Sequence, residues 1–126
     1  VILPVSARRV NQQPDHTLAP DFQKSWKGGT WSALDATTGR ILCQVPATGT
    51  NPVTSKHAVG LGPVASSPGL VYAGSVSGDM VVLDANTGAT IWKYASGGSV
   101  ASAPSLINGQ LFWGSGYGRF NFGRPQ

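Results

Sequence analysis

Few residues in this chain are of types that do chemistry. All five acidic side chains are aspartates, Asp15, Asp21, Asp35, Asp79 and Asp84, and there is no glutamate. General acid–base catalysis and calcium binding both need carboxylates that stand free and close together. Asp35 and Asp84 each open an Asp-x-x-Thr-Gly turn and Asp79 follows Ser77-Gly78, so these three read as turn residues. Asp15 and Asp21 lie in an unpatterned stretch and read as solvated loop residues. His16 and His57 have no neighbour at metal-ligand spacing and read as exposed loop histidines. The single cysteine, Cys43, excludes an internal disulfide, a four-cysteine zinc site and a Cys-x-x-Cys-His haem attachment.

The aromatic residues offer more. Trp113-Gly114-Ser115-Gly116-Tyr117 sets two rings around glycines, where backbone can approach a flat ligand, and Arg119 could pair with that ligand's carboxylates. Trp113, Tyr117 and Arg119 are therefore the candidate binding residues; the plainer reading makes them sheet core running into a tail. Phe120-Asn121-Phe122-Gly123-Arg124 has rings and a cation suited to base stacking, but the signal is five residues long. The nine Lys and Arg are scattered from Arg8 to Arg124, and the net charge of +4 owes as much to missing acids as to added bases. A nucleic-acid partner would need clustered bases, so none is expected. No run of about 18 apolar residues occurs, so no membrane span is expected either.

Strands must position whatever chemistry there is. Seventeen glycines and nine prolines among 126 residues, with 40% hydrophobic and 11% charged, argue against long charged helices and against a disordered tail. The chain repeats internally. Asp35, Ala36, Thr38 and Gly39 recur as Asp84, Ala85, Thr87 and Gly88 at an offset of 49, and Gly69 to Ser75 resembles Gly109 to Ser115 at an offset of 40. Each unit is a hairpin. In the first kind, aspartate accepts hydrogen bonds from amides two and three residues on, and glycine supplies the positive φ of a bulged turn. In the second kind, Pro68-Gly69 and Asn108-Gly109 join short apolar runs.

The spacing predicts hairpins at 31–44, 63–74, 80–94 and 101–114, pairing into four-stranded units. A period of about 40 residues with four short strands is the pattern of propeller blades. The fold expected is all-β, part of a β-propeller of two to three four-stranded blades, incomplete without further chain or partner chains. Within the single segment 1–126, residues 1–30 are a strand start and irregular connection, 31–117 the repeated blade hairpins, and 118–126 a tail. The longer offset places an inserted loop in 44–61. A blade face of roughly 500 Å² left bare forgoes about 12 kcal/mol, comparable to a domain's whole stability. The chain is thus expected to be the C-terminal portion of a larger protein or one of several copies assembling a ring.

The strings Ala33-x-Asp35-x-x-Thr38-Gly39-x-x-x-Cys43 and Val82-x-Asp84-x-x-Thr87-Gly88-x-x-x-Trp92 resemble the tryptophan-docking motif of quinoprotein propellers. Residues 29 to 117 look most like the C-terminal blades of polyvinyl-alcohol-dehydrogenase-like proteins. The resemblance implies a ring of seven or eight blades, with pyrroloquinoline quinone (PQQ) and calcium near the axis in members that oxidise secondary alcohols or polyols. It also implies a secreted or periplasmic location, and remaining blades as partners. Trp113, Tyr117 and Arg119 suit a quinone in principle. The alternative is a non-catalytic scaffold or ligand-binding propeller, as in outer-membrane assembly proteins with similar repeats. Asp35, Thr38, Gly39, Asp84, Thr87, Gly88 and Trp92 keep the structural motif. Cys43 stands where the family has tryptophan, which puts docking at that seam in question.

Overall fold

The computed structural model describes residues 2–6, 29–47, 49–51 and 55–116. Nine strands follow one another: β1 (Ile2–Ser6), β2 (Gly29–Leu34), β3 (Ile41–Pro46), β4 (Ala65–Ser67), β5 (Leu70–Gly74), β6 (Asp79–Asp84), β7 (Thr90–Ala95), β8 (Ser105–Ile107) and β9 (Gln110–Phe112). They form three antiparallel sheets in the orders β1-β2-β3, β4-β5-β6-β7 and β8-β9. The described chain is all-β, and its sheets are propeller blades that do not close into a ring. The four expected hairpins are β2-β3, β4-β5, β6-β7 and β8-β9. The first strand pairs along β2 with Pro4 opposite Trp31.

Turn chemistry sets each hairpin. Asp84 Oδ1 accepts the amides of Asn86 and Thr87, both at 2.8 Å, and Asp35 Oδ1 accepts those of Thr37 and Thr38 at the same distance. Gly88 and Gly39 then turn through the left-handed region at φ 73° and 72°. The extra residue shifts the register between Val82 and Leu83 and, equivalently, between Ala33 and Leu34. Such a bulge sharpens the twist of the outer strand pair. At β8-β9, Asn108 and Gly109 both have positive φ, the mirror-image turn suited to a two-residue hairpin.

The main core lies between the first two sheets. Trp31 of β2 clusters with Val71 and Ala73 of β5 and with Val81 and Leu83 of β6, all buried, along with Ala47. Because side chains alternate along a strand, Met80 and Val82 point to the opposite face of β6 and are buried there too. A strand buried on both faces reads as a continuous apolar run, as Met80-Val81-Val82-Leu83 does. One bond marks the blade repeat independently of side chains. Val76 N donates to Val59 O at 3.1 Å and Gly116 N donates to Ser99 O at 3.0 Å, the same contact displaced by the 40-residue offset.

Candidate functional site

Three features merit comparison as sites: the seam between the first two sheets, the aromatic group on β7, and a groove beside Gly114.

The seam places the motif residues. A Cβ built on Gly88 would lie 2.8 Å from Val45 Cγ2 and 3.5 Å from Cys43 Sγ, so the second sheet's turn rests on β3 of the first. Docking therefore persists although Cys43 replaces tryptophan. The missing bulk comes from β2, where Trp31 is 3% exposed. Only a void of about 10 Å³ remains, bordered by Trp31, Cys43, Val71, Leu83 and Gly88 among others. The fit has a cost, because Trp31 Nε1 is buried without a hydrogen-bond partner among the described residues. A Cβ on Gly60 would come within 2.8 Å of that nitrogen, so glycine is needed where the indole passes. Trp31 was not singled out by its sequence position. The available signal was the repeat itself, since Trp31 stands where the second copy has Met80.

On β7, Trp92 and Tyr94 stack with ring centroids 6.0 Å apart, and Trp113 meets both edge-on at 6.4 and 5.7 Å. Trp113 Nε1 donates to Ser96 Oγ at 2.8 Å. The motif tryptophan thus touches the next blade through Trp113, yet Trp92 and Tyr94 remain 43% and 52% exposed. Beside Trp113 in the chain, an open groove of about 560 Å³ is lined by Ser99, Ala101, Ser102, Gly114, Ser115 and Gly116. Ser102 Oγ accepts Gly114 N at 3.1 Å and lies 3.2 Å from Gly114 O. Tyr117 and Arg119, the other two candidate binding residues, lie outside the described residues.

The described acids are engaged elsewhere. The Asp84 carboxyl is held below its ordinary pKa first by the Thr87 amide and then by that of Asn86, and Asp35 likewise by Thr38 and Thr37. Asp79 accepts Ser77 Oγ at 2.8 Å and pairs with Lys93 Nζ at 2.9 Å. His57 is exposed and bridges to Thr50; His16, Asp15 and Asp21 lie outside the described residues. No group of three or more His, Cys, Asp or Glu gathers for a metal among the described residues. The groove offers small side chains and backbone, a shape that admits a flat ligand, but no carboxylate for calcium and no cation for a quinone's acids. The described residues therefore do not fit a complete quinone–calcium site.

Repeated four-stranded antiparallel units with bulged Asp-x-x-Thr-Gly turns and seam-docking glycines define a quinoprotein-type propeller. Residues 27–120 match the PQQ-repeat family described as outer membrane protein assembly factor BamB, and the chain belongs to that family. It is also 39% identical over 46 residues to lupanine 17-hydroxylase [cytochrome c] from a Pseudomonas species. That match spans 36% of this chain and 7% of the hydroxylase.

Proposed function

We propose that this chain supplies blades to a quinone-dependent dehydrogenase propeller that oxidises secondary alcohols or polyols, and that the blades' own part is structural. Family membership together with the likeness to a hydroxylase supports the redox reading. PQQ, when bound, supplies a two-electron acceptor. The chain's contribution is to stack blades through the Gly88 turn and to present the groove along Gly114–Gly116. Catalytic carboxylates and calcium ligands belong to residues other than Asp35, Asp79 and Asp84. A periplasmic or secreted location accords with the family; among the described residues no helix is long and apolar enough to cross a membrane.

A second reading, a non-catalytic scaffold or ligand-binding propeller, is favoured by the engagement of every described aspartate in a turn or an ion pair. One experiment separates the two. Purified protein is incubated with PQQ and calcium, freed of excess cofactor, and assayed for dye reduction driven by a secondary alcohol. Retained quinone absorbance with alcohol-dependent turnover supports the dehydrogenase. Loss of both leaves the scaffold.

A further inference from the structure

The first two sheets show what a finished seam looks like, and both ends of the described chain carry half of another. In the finished seam the turn residues Ala85 and Gly88 rest on β3, and Cys43 and Val45 are only partly exposed beneath them. The equivalent turn residues in the first sheet are Ala36 and Gly39. Both are exposed, and a Cβ on Gly39 would meet nothing within 4 Å. The equivalents of Cys43 and Val45 are Trp92 and Tyr94, also exposed. One end thus offers a bare turn, and the other a bare docking face of the kind such a turn covers.

The strand inventory agrees. The complete blade is β4-β5-β6-β7, in which a short hairpin, β4-β5, is followed by an Asp-x-x-Thr-Gly hairpin, β6-β7. The hairpin β8-β9 is of the first type and lacks the second. The hairpin β2-β3 is of the second type and lacks the first, with β1 lying where β5 lies in the complete blade. Pro4 brings no N–H to its pairing with Trp31, which weakens β1 as a partner for β2. No proline interrupts β9. A two-stranded sheet alone is marginal in water, so the free edge of β9 gains most from a partner.

We propose that a second copy of this chain completes the blade: β9 of one copy replaces β1 on β2 of the next, forming β8-β9-β2-β3, while the incoming Asp35–Gly39 turn covers Trp92 and Tyr94. The contact is head-to-tail, so it repeats until a ring closes. Each copy then contributes one whole blade and two halves, so the ring has twice as many blades as copies. Propellers of six or eight blades correspond to trimers or tetramers. The inference concerns assembly and does not depend on the redox reading.

Light scattering on the purified 126-residue chain tests it. The expected mass is three or four times 13.0 kDa at micromolar concentration. Ala36→Glu, which blocks the turn without touching the glycine conformation, and the double change Trp92→Ala with Tyr94→Ala should each weaken association at least tenfold while keeping the strand circular-dichroism signal. An equimolar mixture of the two variants retains one good head and one good tail, so it should form a heterodimer and nothing larger. A 13.0 kDa mass for the folded wild-type chain up to 100 µM, or assembly unchanged in both variants, overturns the proposal. If both variants lose their strand signal, removal of residues 1–28 decides: loss of β1 should strengthen association, and unchanged or weaker association overturns it.

Discussion

Gly88 lies against Cys43: a Cβ on the glycine would sit 3.5 Å from the thiol sulfur and 2.8 Å from Val45 Cγ2. This contact joins two sheets through a turn glycine, and Gly39 offers an internal control. It has the same φ within a degree but open space around it. Alanine at Gly39 should cost the left-handed penalty of about 1–2 kcal/mol. Alanine at Gly88 should cost that and a further 1–3 kcal/mol or so from overpacking. Urea melts at dilute protein concentration measure both. Equal losses at the two sites would show that the seam contributes nothing.

Trp31 and Trp92 should differ in the direction opposite to the motif. Trp31→Ala removes a buried indole and should cost about 3–5 kcal/mol. Trp92→Ala in the dilute chain removes a 43%-exposed ring and its aromatic contacts, about 1 kcal/mol. Trp31→Phe should cost much less than Trp31→Ala, because it also removes a buried donor left unpaired, a penalty of about 1–3 kcal/mol. Thermal melts that rank Trp92 above Trp31 would contradict this account.

Restoring the family residue at Cys43 should harm the fold. The void beside it is about 10 Å³, so Cys43→Trp alone overpacks the seam by about 1–3 kcal/mol. Adding Trp31→Met reproduces the residue pair of the second copy, Met80 and Trp92, and should recover most of that loss. The double-mutant cycle should show favourable coupling of about 1 kcal/mol or more. Additive losses would mean that the two side chains do not share one space.

Acid should loosen the turns. Asp35 and Asp84 have folded pKa values lowered by backbone amides, so their contribution to stability is fully present above the unfolded value near 3.8. It is lost as pH falls below that value and through the lowered folded pKa. Melting temperature should therefore decline below about pH 4. In the double variant Asp35→Asn and Asp84→Asn, which keeps acceptor oxygens but cannot titrate, that decline should shrink. An identical acid profile in the variant would rule out the turn carboxylates as its cause.

Much of this was legible in residue order. The four hairpins, their turn glycines and the aspartate acceptors are local: each depends on atoms within about five residues, and the turn chemistry is specified by residue type. The candidate site was less legible. Trp113 joins an aromatic group with Trp92 and Tyr94, but Tyr94 carried no motif and Ser96, the indole's acceptor, is 17 residues away. Trp31 was silent because its role depends on the small size of Cys43 across the sheet, and that is a property of the packed seam.

The repeat by itself determined that this chain is made of blades, because hairpin turns and strand alternation need no distant partner. Only the tertiary structure decided how volume is shared at each seam, with Trp31 filling the first while Trp92, Tyr94 and Trp113 gather at the second. It also showed which turn is covered and which is bare. Local sequence sets backbone geometry, whereas burial depends on what lies opposite, and Gly39 and Gly88 share one conformation but differ in what they touch.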